Sequence, residues 1–175
     1  EYIRSTIASG QLARFYGFPY RSSNTNASNT VDAQAVYESS MSLWATVMSH
    51  ANLVNHAAGW LESGLTASFE KLIIDAEMLQ IMSESLKPIE INTENLGVET
   101  IKSVGPGGHF FATDQTMDHY ATEFYTPMIS DWNNFENWEK NGSVTTIERA
   151  NKVYKTLLKE YKQPKNPKPP KFVSA

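Results

Sequence analysis

The chain has 175 residues, with 15 Lys and Arg, 19 Asp and Glu, no cysteine and 41% hydrophobic residues, which is enough for one domain with a real core. A net charge of −4 supplies no positive field to hold a polyanion, so no nucleic-acid partner is expected. Without cysteine there is no disulfide framework, thiolate zinc site or thiol nucleophile, and any metal would rest on His and carboxylates.

The longest apolar window is broken by Asn52, Asn55 and His56, so neither a membrane span nor a secretory signal is expected. The opening Glu1-Tyr2-Ile3-Arg4 is already helical in pattern and lacks an initiator Met, which leads us to expect a piece of a longer chain. Ile3, Ile7, Ala8, Leu12 and Phe15 recur at helical spacing and predict a helix over 1–16, stopped by Gly17. Phe18-Pro19-Tyr20 reads as a brief strand, and the polar stretch from Arg21 to Thr30 as a loop that buries little. Asp32 is a candidate cap for a helix over 33–50, with Ala35, Val36, Met41, Trp44, Ala45 and Met48 inward. Leu53 to Ala58 predicts a buried parallel strand, and Gly59 and Gly64 bracket a loop.

Ser68 caps the next helix, which runs to about Leu86 on a stripe of Leu72, Ile73, Ala76, Leu79 and Met82, and Pro88 ends it. A short helix follows over 95–102 and stops at Gly105-Pro106-Gly107-Gly108; Phe110-Phe111-Ala112 reads as a strand or turn. Helices are predicted over 115–125 and 144–161, the latter from Ile147, Ala150, Val153, Tyr154, Leu157 and Leu158. Four Lys and four Pro between Lys162 and Lys171 read as a solvated, polyproline-like tail or as a docking segment for an acidic partner. The alternation of strand and helix points to an α/β fold with parallel strands.

His56 closes a predicted parallel strand, and ligands bind at the carboxyl ends of such strands. With Trp60 and Glu62 within six residues it is a site candidate; a structural imidazole bonded to a backbone carbonyl is the other reading. Gly105, Gly107 and Gly108 before His109 allow a close backbone approach or positive φ, but the segment lacks the Lys-Ser/Thr of a phosphate loop. A tight structural turn fits it equally. His119 and Glu123 are i,i+4 neighbours; with no second histidine at helical spacing, an ordinary polar face is the reading and no metal site is expected. Tyr120, Phe124, Tyr125, Trp132, Phe135 and Trp138 suit either a packed seam between helices or an aromatic cage for a methylated ammonium. No nucleophile elbow and no Ser/His/Asp set is legible.

Taken together, Asp32-Ala-Gln-Ala-Val-Tyr-Glu38, Asn55-His-Ala-Ala-Gly-Trp-Leu-Glu-Ser-Gly-Leu65, Ser68-Phe-Glu-Lys71 and Val104-Gly-Pro-Gly-Gly-His-Phe110, in that order, resemble the C-terminal part of the trimethylamine methyltransferase (MttB) family. His119, Glu123 and the stretch from Asn133 to Trp138 extend the resemblance to nearly the whole chain before the Pro/Lys tail. The resemblance implies the C-terminal portion of a (β/α)8 TIM-like barrel with extra C-terminal helices over 1–161, followed by the tail at 162–175. A complete barrel takes roughly 250 residues, so its N-terminal strands would be absent and self-association as a homo-oligomer is expected.

The implied activity is transfer of a methyl group from a methylated amine to the cobalt of a corrinoid (cobalamin) carried by a cognate partner protein, in the cytoplasm, with no metal bound directly. In the pyrrolysine members that residue would fall near Tyr20 to Thr30, where only standard residues occur, so this chain resembles a non-pyrrolysine member acting on a quaternary amine such as glycine betaine. His56 and Glu62 are then the catalytic candidates. Tyr20, Trp60, Gly107, Gly108, His109 and Phe110 are the substrate-binding ones. The alternatives are a truncated, non-catalytic binding or oligomerisation module and a trimethylamine-specific enzyme.

Overall fold

In the computed structural model, which describes residues 1–163, helix α1 (Tyr2–Tyr16) ends at the expected stop. Gly17 adopts φ 69°, and its N–H and that of Phe18 close on the carbonyls of Arg14 and Ala13. A Cβ resists that left-handed turn, so glycine is the natural terminator. α1 packs on α2 (Ala33–Met48), whose amino end is capped as predicted: the Asp32 carboxylate accepts the Ala35 N–H at 3.1 Å. The two helices meet at Gly10, where a Cβ would lie 2.3 Å from the Ser49 carbonyl oxygen, and Arg14 donates to that same oxygen at 2.5 Å. At the other end of α1, the Tyr2 hydroxyl donates to the Ser23 carbonyl.

β1 (Arg21–Ser23) and β2 (Leu53–Asn55) pair in parallel, with Arg21 opposite Leu53 and Ser23 opposite Asn55, and α2 makes the crossover between them. The first strand therefore starts later than Phe18–Tyr20. Pro19 has no N–H to donate, and the Tyr20 carbonyl is taken by the N–H groups of Asn52 and Leu53. The second strand is shorter than 53–58 because His56 turns out of it at φ 51°, and Leu53 is exposed rather than buried. A hairpin of β3 (Trp60–Leu61) and β4 (Thr66–Ala67) then leads to α3 (Phe69–Ser85), capped by Ser68 as expected. The α/β reading stands at the level of a mixed helix and sheet chain; the described strands form two two-stranded sheets and no closed barrel.

α3 packs along α7 (Thr146–Glu160), which opens on a capping box between Thr145 and Glu148. Ile73, Ile74, Ile129 and Ala150 form the apolar cluster between them. The buried stripe of α3 differs from the predicted one: Leu72 and Ala76 are exposed, while Lys71, Asp75 and Glu77 are buried with Ile73, Ile74 and Met82. In α2, Ala35 and Ala45 face inward but Met41 and Met48 are exposed, and Leu43 is the large buried side chain. Buried polar residues here outnumber buried apolar ones, so hydrogen bonds carry much of the packing.

Beyond α3 the structure opens out. α4 (Val98–Val104) and α5 (Asp114–His119) bury no residue, and α5 stops short of the predicted Tyr125 because Thr122 and Glu123 N–H both turn back on the His119 carbonyl. α6 (Phe135–Lys140), capped by Asn134, was not expected. Phe110–Ala112 is turn, not strand. No helix of the described residues is long and apolar enough to cross a membrane. The Pro/Lys tail lies outside the described residues except for Lys162 and Gln163.

Candidate functional site

Because β1 and β2 run in parallel, the segments that follow them, the 24–29 loop and 56–63, which takes in β3 and is here called the second loop, leave from the same end of the pair. They are stitched together. The Asn24 N–H bonds the Asn55 carbonyl at 3.1 Å, and its side-chain amide reaches Ala57 O at 3.3 Å. The Asn26 side chain donates to Trp60 O at 2.8 Å, and the Ser63 and Glu62 N–H groups bond Asn26 O and Ser28 O at 2.8 and 2.9 Å. α2 supports the first loop: Glu38 accepts the Ala27 and Ser28 N–H groups, and Ser42 bonds Asn24 and Thr25. Burial pushes the Glu38 carboxyl up, but hydrogen bonds from Gln34, Ala27 and Ser28 outweigh it and hold the group below its ordinary value.

α3 supports the second loop. Asp75 accepts the Gly59 N–H at 2.9 Å and pairs with Lys71, both oxygens lying 2.6 Å from Nζ, with both side chains at 0% exposure. Burial raises the Asp75 carboxyl, while the hydrogen bond and charge of Lys71 and the Gly59 N–H pull it down. Gly59 has φ 87°, and a Cβ there would sit 3.2 Å from the Leu72 Cβ, so the loop lies directly on α3.

At the tip of this scaffold His56 Nδ1 lies 3.1 Å from Ser23 Oγ. The Ser23 hydroxyl spends its proton on backbone carbonyls, Asn24 O at 2.8 Å and Asn55 O at 3.2 Å. The Ser23 contact holds the exposed imidazole through Nδ1 and sets the direction of the ring. Trp60 stands edge-on to the imidazole at 5.2 Å between centroids. Glu62, four residues from its Thr66 hydroxyl partner, accepts that proton at 2.8 Å. Non-glycine residues rarely take φ near +50°, yet His56, Glu62 and Ser63 all do, while among the described residues only His50 and Ser143 do so elsewhere. Strained backbone concentrated in one loop and held by a second loop is the geometry of a site that fixes side-chain directions.

The family described as trimethylamine methyltransferase (MTTB) matches residues 1–169. The chain belongs to the trimethylamine methyltransferase family. A glycine betaine methyltransferase of Desulfitobacterium hafniense is 40% identical over 158 residues, which cover 90% of this chain and 33% of that protein. A trimethylamine methyltransferase of Methanosarcina mazei is 32% identical over 163 residues, covering 91% and 32%, and one of Desulfitobacterium hafniense is 31% identical over 152, covering 86% and 30%. The chain thus spans about a third of the length of the curated relatives it matches.

Within this trimethylamine methyltransferase family member, the structure brings together His56, Trp60 and Glu62 on one loop and places the other candidates apart. Tyr20 is at the amino end of the strand pair, roughly 10 Å along the strands, with its hydroxyl on the Thr6 carbonyl. Gly107, Gly108 and His109 lie in the turn after α4, which is held by Gly108 N to Gly105 O; a Cβ on Gly108 would meet Val104 O at 2.6 Å. His109 lies tilted against Phe111 at 5.7 Å between centroids, and Phe110 helps line a cavity of about 810 Å³ with Lys87, His119 and Glu123. A second cavity, of about 820 Å³, is apolar and lies among Val36, Met41, Ile74, Ile81 and Ile147; neither includes His56. Among the residues from Tyr120 to Trp138, only Phe135 and Trp138 touch as a ring pair, and Tyr120, Phe124, Trp132 and Phe135 are exposed, so they form neither a seam nor a cage. His119 and Glu123 do meet, at 3.0 Å.

The residues missed by sequence reading are Ser23, Asn24, Asn26, Lys71 and Asp75. One signal was available: Lys71 and Asp75 are i,i+4 neighbours on the stripe that carries Ile74 and Met82.

Proposed function

We propose that the chain is part of a methyltransferase that removes a methyl group from a methylated amine, preferentially a quaternary one such as glycine betaine. The observation that carries this reading is the 40% identity with a glycine betaine methyltransferase across 90% of the chain. The standard residues throughout Arg21–Thr30 support the quaternary substrate over trimethylamine. The methyl acceptor in this reading is the cobalt of a corrinoid carried by a partner protein, and the reaction belongs in the cytoplasm. The end of the strand pair presents an exposed imidazole held through Nδ1, so this chain's own part is to hold the amine and shape its approach. We also read β1–α2–β2 and α3 as successive units of a (β/α)8 barrel, whose remaining strands would cover the exposed sheet edges.

The chemistry asks little of the protein beyond position and charge. As the N–CH3 bond breaks, nitrogen keeps the electron pair and leaves as a neutral tertiary amine, while the methyl carbon bonds to the acceptor. The Trp60 ring offers a face to the ammonium by cation–π attraction, the Glu62 carboxylate offsets its charge, and His56 borders the methyl.

The test is methyl transfer to cob(I)alamin from glycine betaine and from trimethylamine, by the chain and by a longer protein carrying it. Betaine-dependent transfer is expected, and His56→Ala lowers it about 100-fold with circular dichroism unchanged. Unaltered turnover in His56→Ala removes that residue's role, and transfer from neither amine overturns the function. Ile89, Ile91 and Phe111 stand at least 80% exposed, which favours a second reading as a non-catalytic association module. Sedimentation equilibrium of the chain distinguishes the two, since that module self-associates without transferring methyl groups.

A further inference from the structure

We propose that the buried Lys71–Asp75 pair is a positioning element of the carboxyl-end site, fixing the two loops so that His56 and Trp60 are presented together. This deepens the function proposed above and rests on its reading of that end as the amine site. The Lys71 ammonium has three protons, and all are used: two on the Asp75 oxygens at 2.6 Å and one on Ser39 Oγ at 2.7 Å. All three ammonium protons are held and both side chains are at 0% exposure, so neither residue is placed to serve as a base or nucleophile toward a substrate. What the pair does reach is the site scaffold. Asp75 grips the Gly59 N–H, while Ser39 Oγ receives a second donor, the Asn26 side-chain amide at 3.1 Å, and that amide also holds Trp60 O.

The connections form a closed circuit from Gly59 through Asp75, Lys71, Ser39 and Asn26 to Trp60. It begins and ends on adjacent residues of one loop and draws the other loop in on its way. Asn26 Oδ1 is buried without a partner, so it is the circuit, and not the amide's own acceptor needs, that dictates how Asn26 points. A pair of apolar side chains of the same volume would fill this space without the cost of burying charge. Apolar atoms could not bond Gly59 or Ser39. What the charged pair adds over such a filler is direction, delivered to the backbone on both sides of the Trp60 side chain, whose ring stands against His56.

Two variants of the 175-residue chain test this. Lys71→Met/Asp75→Leu keeps the volume and removes both charges, and Ser39→Ala keeps the pair but cuts its arm to Asn26. The readouts are hydrogen exchange at the Gly59 amide, the 15N shifts of the His56 imidazole and the Trp60 indole N–H resonance. In the double variant the Gly59 amide is expected to exchange at least 100-fold faster, with the His56 and Trp60 signals displaced and α1 amides unchanged. In Ser39→Ala the Trp60 signal moves while Gly59 stays protected. Should the double variant not fold, Ser39→Ala decides alone: an intact fold with unmoved His56 and Trp60 signals overturns the proposal. The same null result in the folded double variant also overturns it. In a longer protein active on betaine, Ser39→Ala should lower kcat/KM about tenfold. If that protein transfers no methyl at all, the amine reading fails, while the resonance measurements still decide whether the pair positions the loops.

Discussion

Two stretches of the chain behave differently. From Asn24 to Met82 the chain buries asparagines, serines, a lysine and two acids, and its hydrogen bonds include long-range ones such as Asp75 to Gly59, 16 positions apart, and Asn26 to Trp60, 34 apart. From Lys87 to Met128 no residue is buried, and apart from Gln115 to Glu94 the side-chain hydrogen bonds close within five positions. Polar groups with long-range partners define a single arrangement, because each buried donor left unpaired is costly. Apolar groups without a facing surface define none, and such a region opens at low free energy.

Matched substitutions sharpen the contrast. Lys71–Asp75 and Lys102–Glu99 are both helical pairs at 2.6 Å, the first with side chains at 0% exposure and the second at 66% and 80%. Lys71→Ala strands a buried carboxylate and is expected to cost about 3–5 kcal/mol in urea unfolding, whereas Lys102→Ala changes it by less than about 1 kcal/mol. Equal effects would break the comparison. Next come the glycines: Gly59→Ala adds a contact on Leu72 to its positive φ and should cost about 1–3 kcal/mol. Gly107→Ala, with open space around it, carries only the backbone strain of about 1 kcal/mol.

The acid limb is subtler. Glu38 is held below its ordinary value, so the unfolded chain binds its proton more readily than the native state does. Its contribution is complete above the ordinary carboxylate range, near 4.3, and is lost as pH falls through the native value. Glu70, held down by Asn151, its own backbone and Ser68 against the opposing pull of burial, acts in the same direction. Glu38→Gln should lower stability at neutral pH by about 1 kcal/mol and flatten its fall below that range, as thermal unfolding against pH will show.

Much of the framework is legible in sequence because its signals are local. Gly17, Asp32 and Ser68 act on backbone within four residues, and each does what its type predicts. His56, Trp60 and Glu62 share one loop for the same reason of proximity. The polar loop 21–30 misleads because burial of an amide depends on distant partners: Asn24, Asn26 and Ser28 are buried once α2 and the 56–63 loop satisfy them. Lys71 is legible only in part, since helical spacing pairs it with Asp75 but its third acceptor, Ser39, is 32 positions away and meets it only in the fold. The exposed aromatics from Tyr120 to Phe135 show the reverse case, an apolar pattern with no facing surface among the described residues.

The joint at Gly10 has a mechanical meaning. Its contact with the Ser49 carbonyl leaves no slack, so it acts as a fulcrum for α1. On one side of it Arg14 is tied to that carbonyl; on the other, Tyr2 is tied to the Ser23 carbonyl, and the Ser23 hydroxyl meets His56 Nδ1. α1 is thus a lever whose longer arm ends two hydrogen bonds from the imidazole. Tyr2→Phe uncouples it and should shift the His56 ring resonances while leaving those of Trp138 in place; a silent imidazole would mean that the lever does not reach it. A load placed on the exposed Leu12, Phe15 and Tyr16 of the shorter arm is in this way expected to reach the His56 ring.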